Sequence, residues 1–565
     1  MKFSEMPYRR PDLDQAIART EALQAQAQAV ASDEEMVALF RAVDTTASAW
    51  DTMARLANIH YTQDTRDPYW SGEQDYFDES GPALASAQIE LYKAILANPH
   101  APALDKAFGP VVTPSLKNAV LGMDSRVQAL QKEENALSSQ YQKLYGGALV
   151  EFDGKTCTIP QLAAYKESGD RAVRRAAYEA EAGYFDRNRE QFDSIYSKMV
   201  ENRNAQARIL GYADYSELSY VRMNRLGYGP AQVKAYRDEV RRSVVPTADR
   251  LVRLRWQRAG LPADAKFWDN AVSFASGNPR PRGTEAQLMA AARQMYHELS
   301  PETGRFIDFM QGNELFDVQS RPGKMSGGYE EMLPDYGAPF IFANWNGTSG
   351  DVDVLTHEAG HAFEAWMAAQ DPDILDFVAC PGMESAEIHS MSMEFLTAPW
   401  HGLFFGPDTA KYELAHAEDA LFFLPYGCIV DEFQHIMYQQ PGLTPDQRNR
   451  VWLELEHTYR PWLDFGDLPF YSRGAGWQRQ LHIYESPFYY IDYCLAQTIA
   501  LQFFACQLAD PADAWRRYMA LVRCAGRKPY AGLVEAAGLQ VPFVPGSLAR
   551  VTDQVAGWIE SHQTV

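Results

Sequence analysis

The most informative segment of this 565-residue chain is "DVDVLTHEAGHAFEAWM", residues 351–367. It places His357 and His361 four residues apart, with Glu358 directly after the first histidine. Apolar residues recur around them at helical spacing, and residues four apart lie on one face of a helix. Both imidazoles can then face a single metal ion while Glu358 stands beside its open coordination position, in the H-E-x-x-H arrangement.

The alternative is a polar patch on the surface of an ordinary helix. In a chain with 12 histidines and 74 acidic residues, about 0.03 chance matches to H-E-x-x-H are expected. Gly360 lies between the two histidines, where it costs about 1 kcal/mol of helix stability relative to alanine. We infer a metal site, and we expect another part of the protein to approach the helix backbone at Gly360.

A catalytic zinc site needs a third protein ligand and keeps one position for water. The segment "CPGMESAEIHSMSMEFLTAPW", residues 380–400, places Glu384, Glu387 and Glu394 on one face of a predicted helix, with Ser390 between them. Acidic residues within an apolar stretch are costly to bury unless a positive partner compensates them, and zinc would supply that charge. The spacing leaves Glu384 and Glu387 both open as the third ligand, and a solvated acidic face is the alternative.

A second informative stretch is "YSRGAGWQRQLHIYESPFYYIDY", residues 471–493, which contains His482 and several tyrosines. Tyr490 and Tyr493 share a helical face. Hydrolysis of an amide passes through an oxyanion that needs hydrogen-bond donors aimed at it, and imidazole and phenol groups are suitable donors. An aromatic cluster is more often part of a hydrophobic core, so the residues alone leave both interpretations open.

The bulk composition restricts the class of protein. A formal net charge of −22 argues against a nucleic-acid partner, because phosphate contacts need clustered lysine and arginine. The longest late stretch free of Asp, Glu, Lys and Arg, residues 493–509, contains three glutamines, and it predicts a buried helix rather than a membrane span. Six scattered cysteines without a Cys-x-x-Cys pair, and no visible secretory signal, predict a cytoplasmic protein.

The organisation of the chain is helical over most of its length. The first two hundred residues are rich in alanine, leucine, glutamine and glutamate with few breakers, which predicts helices. Glycine and proline become frequent from residue 321, and the apolar run "PFIFANW" at 339–345 predicts a strand before the histidine-bearing helix.

The segments "THEAGHAFE" and "ESAEIHSMSMEF" together resemble the M3 family of zinc metallopeptidases, the group of thimet oligopeptidase and oligoendopeptidase F. The fragment "FYYIDYCLAQ" is especially similar to the Pz-peptidase-like branch. The resemblance implies His357, His361 and Glu387 as ligands of one Zn²⁺ per chain, because the family carries its third ligand in an E-x-x-S-x-x-x-E segment. It further implies Glu358 as general base and Glu394 as the residue that orients a ligating histidine.

The resemblance also implies that His482, Tyr490 and Tyr493 contact the substrate carbonyl. Tyr489 is a rival to Tyr490, because the spacing differs by one residue between branches of the family. The glycines before His482 are similar to a flexible loop that closes over the peptide. The strand at 339–345 is similar to the edge strand that aligns the substrate in such enzymes.

The fold that this family implies is mainly α, with two helical lobes enclosing a deep substrate channel. A small β-sheet is expected beside the H-E-x-x-H helix, in a zincin-like catalytic core. We divide the chain into an N-terminal helical lobe at 1–200 and a catalytic zinc-peptidase lobe at 201–565. Within the second lobe, 321–400 and 470–500 carry the site.

The expected function is zinc-dependent hydrolysis of internal bonds of short peptides, with a metal-activated water and Glu358 as the base. One alternative is a zinc carboxypeptidase of the same type, which would need a fixed cation for the C-terminal carboxylate, and Arg473 and Arg479 are candidates. Another is a peptide-binding relative without catalysis, against which the intact Glu358 argues. The sequence does not indicate side-chain preference or oligomeric state.

Overall fold

The protein is represented by a computed structural model that describes residues 1–321, 323–325, 327–380 and 382–564. The described part is mainly α-helical, as predicted. The helices up to residue 312 are α1 (Leu13–Ala29), α2 (Asp33–Gln63), α3 (Pro68–Ala97), α4 (Pro102–Phe108), α5 (Val112–Gly122), α6 (Gln128–Gly146), α7 (Ala163–Lys166), α8 (Arg171–Arg187), α9 (Arg189–Ile209), α10 (Tyr215–Arg222), α11 (Pro230–Glu239), α12 (Val245–Arg258), α13 (Glu285–Leu299) and α14 (Pro301–Gly312).

The second half of the chain contains the remaining helices and most of the strands. The helices are α15 (Gly350–Ala369), α16 (Met383–Leu396), α17 (Gly402–Phe405), α18 (Thr409–Gln439), α19 (Pro445–Tyr459), α20 (Pro469–Ser472), α21 (Leu481–Glu485), α22 (Tyr490–Ala509), α23 (Pro511–Val522), α24 (Tyr530–Ala536) and α25 (Ser547–Ser561). The strands are β1 (Leu149–Phe152), β2 (Lys155–Thr158), β3 (Phe316–Gln319), β4 (Tyr329–Leu333) and β5 (Ala338–Trp345).

The N-terminal helices α1, α2 and α3 pack against one another. α3 begins at Pro68, where the side chain of Asp67 accepts hydrogen bonds from two backbone N–H groups of the first turn. α2 also reaches the second half of the chain, since Nη1 of Arg55 donates to the backbone oxygen of Met332 at 2.8 Å. This contact joins the first helices to strand β4.

The predicted division at residue 200 falls inside α9, which runs without interruption from Arg189 to Ile209. Buried residues of α8 and α9 belong to the same hydrophobic cluster as those of α15, α16 and α22. A separate cluster gathers residues of α1 to α5. The division into lobes at 200 stays a prediction.

A short hairpin of β1 and β2 interrupts the helices of the first two hundred residues. The strands pair antiparallel, from Leu149 with Thr158 to Phe152 with Lys155. The turn is Asp153-Gly154, and both residues have positive φ, 50° and 71°. An Asp-Gly pair favours such a turn because its two central residues need left-handed backbone. The prediction of helices throughout this region is therefore wrong at the hairpin.

The second sheet has the strand order β3–β5–β4. β5 pairs in parallel with β3 and antiparallel with β4. The predicted strand at 339–345 is confirmed, but it lies in the centre of the sheet, so the expectation that it offers an edge to a substrate is wrong. Its first six residues are all buried, as is typical of a strand that is covered on both faces. The edge strand of this sheet that packs against α15 is β4.

Helix α15 carries the H-E-x-x-H motif and packs against α16, β4 and β5. α15 and α16 meet at Gly360. A Cβ atom on Gly360 would lie 2.6 Å from the backbone oxygen of His389 and 2.6 Å from Cα of Ser390. The absence of a side chain permits this packing, and the predicted approach to the backbone at Gly360 is confirmed.

Helix α22 packs against α16 from another side. It contains the stretch 493–509, which is largely buried, as predicted. None of the helices in the described ranges is long and apolar enough to cross a membrane. The six cysteines are all free thiols.

Candidate active site

Three side chains from α15 and α16 converge where the two helices meet. Nε2 of His357 lies 3.2 Å from Oε2 of Glu387, and Nε2 of His361 lies 3.5 Å from the same oxygen. One ligand atom from each of the three residues lies within 4.8 Å of the others. A tetrahedral zinc ion with bonds of about 2.1 Å holds its ligand atoms about 3.4 Å apart. The donor set therefore fits this metal.

Glu394 contacts His357 at the ring nitrogen that does not face Glu387. Its Oε1 lies 2.8 Å from Nδ1 of His357, and its Oε2 lies 2.7 Å from Nε2 of His416 on α18. A carboxylate at Nδ1 leaves Nε2 of His357 free to bind a metal. Burial acts to raise the pKa of Glu394, but the hydrogen bonds from the two histidines lower it to about 2. Sequence reasoning misses His416, because no motif surrounds it on α18.

Two hydroxyl groups hold the carboxylate of Glu387. Ser390 donates to Oε2 at 2.9 Å, and Tyr489 donates to Oε1 at 2.6 Å. Burial acts to raise the pKa of Glu387, yet the neighbouring His361 and His357 lower it well below its usual value. Both carboxylate oxygens are therefore fixed in position, one by Ser390 of α16 and the other by Tyr489, which directly precedes α22.

Glu384, the other candidate ligand, lies in a different environment. It is 3% exposed, and the positive charge of Arg225 opposes the rise in the pKa of Glu384 that burial causes. Arg225 is itself buried and lies 2.6 Å from Asp492. The structure thus brings Glu387, and not Glu384, to the two histidines.

Glu358 lies beside the metal cluster on α15. Its side chain is 7% exposed, and burial raises its pKa although His357 and His361 oppose the rise. The chain approaches it closely just before β4, where a Cβ on Gly328 would lie 3.6 Å from Oε1 of Glu358. A carboxyl group with a raised pKa is suited to accept and release a proton near neutral pH.

The segment after residue 480 brings an imidazole and two phenols to the same site. The ring centroid of His482 lies 5.7 Å from that of Tyr489 and 5.8 Å from that of Tyr493. Burial raises the pKa of both tyrosines, and the negative charge of Glu387 adds to the rise. Both phenols therefore stay protonated at neutral pH and can donate hydrogen bonds.

His482 is neutral and has one defined tautomer. Burial lowers its pKa to about 4. Its Nδ1 lies 2.8 Å from Nε2 of Gln480, and an amide NH₂ can only donate, so Nδ1 is the acceptor. The proton of the imidazole therefore lies on Nε2, which can donate to a substrate.

Tyr490 shares the ring neighbours His482 and Tyr493 with Tyr489, but it also packs against Tyr426. Its ring centroid lies 5.7 Å from that of Tyr426, and burial raises its pKa together with the nearby Tyr426 and Cys494. In the described part of the chain, the hydrogen bond to Glu387 comes from Tyr489. This geometry favours Tyr489 over Tyr490 as the tyrosine next to the metal cluster.

The glycines before His482 do not form the flexible loop that the resemblance implies. Gly474 has a φ of 78°, and a Cβ there would lie 2.1 Å from the backbone oxygen of Asn449. Trp477 follows it, is fully buried, and donates from Nε1 to the side-chain oxygen of Asn449 at 2.8 Å. These contacts show a packed segment in which the glycine permits close approach, and the closure of this loop over a peptide stays a prediction.

Both arginines considered for a carboxypeptidase have acidic partners. Arg473 pairs with Asp186, and Nε of Arg479 lies 3.9 Å from Oε1 of the buried Glu181. Arg479 also lines a cavity of about 290 Å³ together with Tyr490. Neither arginine is therefore an uncompensated cation at the metal cluster.

These features define a candidate metallopeptidase site on a helical scaffold, and comparison with known proteins identifies the family. Residues 3–121 match the Peptidase M3 N-terminal domain, and residues 164–544 match Peptidase family M3. The second match alone covers more than half of the sequence. The chain belongs to peptidase family M3, so the resemblance is confirmed.

A solved structure of Pz peptidase A with an inhibitor is 38% identical to this chain, with both chains covered in full and a TM-score of 0.94. Oligoendopeptidase F (chromosomal) of Lactococcus lactis subsp. cremoris is 28% identical over 205 residues. Group B oligopeptidase PepB of Streptococcus agalactiae is 28% identical over 212 residues. Each of these two matches covers 35% of this chain and 32% of the relative, so the chain spans about a third of the length of the curated relatives it matches.

Proposed function

We propose that this protein is a zinc-dependent oligoendopeptidase that hydrolyses internal bonds of short peptides. The observation that carries the proposal is the convergence of His357, His361 and Glu387 within ligand distance of one another, with Glu358 beside them. Membership of peptidase family M3 supports the reaction class. One zinc ion bound by these three ligands would supply Lewis acidity at the scissile carbonyl and acidify the attacking water.

The side chains around the cluster supply the proton transfers and the alignment. Glu358 accepts a proton from the attacking water and passes it to the leaving amine, which its raised pKa favours. Glu394 keeps His357 in the tautomer whose Nε2 carries no proton. Ser390 and Tyr489 hold the carboxylate of Glu387 in place.

The oxyanion that forms at the substrate carbonyl needs donors that are already aligned. Nε2–H of the neutral His482 and the hydroxyl of Tyr493 fill this role in the proposal. Tyr490 is assigned to the aromatic wall that packs against His482, since the two ring centroids lie 4.9 Å apart.

The substrate is an extended peptide of roughly 5 to 20 residues, a size suited to a recessed, concave site. The edge of β4 supplies backbone groups with which such a peptide can pair. Folded proteins are excluded because they cannot present an extended segment inside the cleft. A cytoplasmic location stays a prediction from the sequence.

Glu358→Gln tests the proposal. Loss of a general base lowers the rate by about 10²–10⁴, so we expect turnover to fall by this factor while the variant keeps one zinc per chain. A chelator should abolish hydrolysis by the wild-type protein, and added zinc should restore it. The control is Asp373→Asn, since Asp373 is an exposed acid paired with Arg41. Near-normal turnover in zinc-loaded Glu358→Gln would contradict the proposal.

A second comparison separates the proposal from a carboxypeptidase. The same peptide is offered with a free C-terminal carboxylate and with a C-terminal amide. An oligoendopeptidase should cut both at the same internal bond, as read by mass spectrometry. Release of single C-terminal residues from the free acid alone would favour the carboxypeptidase.

A further inference from the structure

A cavity of about 750 Å³ lies between the N-terminal helix α2 and the catalytic helix α15. His361 of the metal cluster lines it, and so do Glu330 and Met332 of β4. Residues two apart in a strand point to the same side, so both strand residues face the cavity. A peptide that pairs with the edge of β4 and reaches the metal cluster would place a side chain or its terminus here.

The walls of this cavity are acidic. The lining includes one guanidinium, that of Arg55, and five carboxyl groups, those of Asp44, Glu330, Glu364, Asp371 and Asp376. Arg55 is already engaged, because it donates to the backbone oxygen of Met332 and its Nε lies 3.2 Å from Oε1 of Glu331. The positive charge of Arg55 is therefore shared with Glu331, which is not part of the lining, and it opposes only in part the rise that burial causes in the pKa of Glu330 and Asp376.

Two of the lining carboxyl groups have an oxygen that accepts no hydrogen bond from the described residues. Glu364 is 5% exposed, and its Oε1 has no hydrogen-bond partner among the described residues. Oε1 of Glu330 also has no such partner. Burial raises the pKa of Glu364 to about 8. Burial also raises the pKa of Glu330, together with the charges of Glu331 and Glu358. Buried polar groups without partners cost free energy, and a cation in the cavity would offset that cost.

We propose that this cavity binds a cationic group of the substrate peptide through Glu364 and Glu330. The group is the side chain of arginine or lysine, or the α-ammonium at the N-terminus of the peptide. A bound cation favours the ionised form of both carboxyl groups, and carboxylates form short charge-assisted hydrogen bonds with such cations. The inference rests on the proposed peptidase function, and it adds the chemical class of the preferred substrate.

The net charge of the whole chain offers a rival explanation for any preference for cationic peptides. At −22, the protein attracts cations over its entire surface. That attraction does not depend on which residue of the peptide is charged, and salt weakens it. A binding cavity instead requires the charge at one position relative to the bond that is cut.

The experiment uses the zinc-loaded 565-residue chain at about 0.15 M salt, where surface attraction is largely screened. Arginine is moved one residue at a time along an otherwise neutral quenched fluorescent peptide, and citrulline replaces it at each position. Citrulline keeps the shape of arginine and removes the charge. We expect kcat/KM to be about tenfold or more higher with arginine at one position, as for a close buried charge pair.

Acetylation of the peptide N-terminus distinguishes the two sources of the cation. If the α-ammonium is the bound group, acetylation lowers kcat/KM by about tenfold and the arginine-to-citrulline ratio stays near one. If a side chain is the bound group, the ratio is high at one position and acetylation has no effect. Either result supports the inference, and each identifies one source.

Glu364→Gln and Glu330→Gln keep the shape of the cavity and remove its charge. Both variants should bring the selectivity for the cation towards one, where the selectivity is the ratio of kcat/KM for the charged and the neutral peptide measured within the same variant. Asp373→Asn is the matched control, because its carboxylate is 73% exposed and pairs with Arg41 at 3.1 Å outside the cavity wall. Thermal melting followed by circular dichroism verifies that each variant is folded.

An arginine-to-citrulline ratio of kcat/KM near one at every position, together with no effect of acetylation, would overturn the inference. The proposed peptidase function would remain, since the peptides are still cut. Selectivity that persists in both glutamine variants would also overturn it, because other residues would then recognise the cation. If the zinc-loaded wild-type protein cuts none of the peptides, the proposed function itself is wrong and the inference is lost with it.

Discussion

The hydroxyl of Tyr489 donates a hydrogen bond to Oε1 of Glu387 over 2.6 Å, which ties the start of α22 to the metal cluster on α16. Tyr490, the next residue, turns its ring towards Tyr426. One step along the chain thus separates a side chain that holds a candidate ligand from one that belongs to an aromatic wall.

Tyr493→Phe should lower kcat by about 10²–10³, the usual effect of losing one oxyanion donor. Tyr490→Phe is the matched control on the same helix, and it should leave kcat nearly unchanged because its ring packs towards Tyr426. Steady-state kinetics and zinc analysis of both variants check this. Equal losses of kcat in the two variants would place Tyr490 at the substrate carbonyl.

Glu387→Ala should lose zinc during dialysis, because only two protein ligands remain. Glu384→Ala should keep its zinc and melt at a lower temperature, since the buried Arg225 loses a negative neighbour. Metal analysis after dialysis, combined with thermal melting, measures both effects. The assignment of the third ligand is wrong if Glu384→Ala strips the zinc and Glu387→Ala retains it.

Gly360→Ala should destabilise the protein by about 1–3 kcal/mol, the usual cost of overpacking. The new methyl group would lie 2.6 Å from backbone atoms of His389 and Ser390, which cannot rotate away. Because α15 and α16 carry the candidate ligands, zinc affinity should fall as well.

Gly557→Ala is the control, since a Cβ on Gly557, inside α25, would have no atom of another described element within 4 Å. It should be neutral or stabilising by up to about 1 kcal/mol. Urea denaturation of the zinc-bound proteins measures both variants. A Gly360→Ala protein as stable as the wild type would show that the helices can separate without cost.

His401 should make the protein less stable as the pH falls. Burial lowers its pKa from 6.5 to about 3, so between these values the unfolded chain binds a proton that the folded protein does not. Stability is therefore lost as the pH falls below 6.5, and at pH 5 the loss is about 2 kcal/mol. His401→Phe keeps a ring against Tyr412 and should remove this loss.

Urea denaturation at pH 7 and pH 5 checks the effect of His401. When the pH falls from 7 to 5, the free energy of unfolding of His401→Phe should fall by about 2 kcal/mol less than that of the wild type. His457→Phe alters an exposed histidine on α19 and should leave the pH dependence unchanged. An unaltered pH dependence in His401→Phe would mean that His401 is protonated in the folded protein.

The sequence predicts the first two candidate ligands because their relation is local. Helical geometry alone places His357 and His361 on one face. The choice between Glu387 and Glu384 depends on how α16 crosses α15, which is a tertiary contact, and only the family resemblance separates them in advance. His416 depends on a third helix and has no local signal.

The errors in the prediction have physical reasons as well. The Asp153-Gly154 pair is a hairpin signal, but the short strands around it are easily overlooked among helices. The continuous apolar run of β5 is typical of a central strand, and reading it as an edge strand ignored this. Whether Tyr489 or Tyr490 faces Glu387 depends on where α22 begins, and helix ends are the least certain part of a prediction.

The contact between Arg55 and Met332 joins residues 277 positions apart in the chain. One wall of the space beside the metal cluster is thus encoded far upstream of the residues that bind the metal. Mutations that accumulate in α2 can reshape the cavity proposed to receive the substrate without altering a candidate ligand or the proposed base. Exchange of the first helices between relatives would therefore transfer substrate preference separately from the hydrolytic machinery.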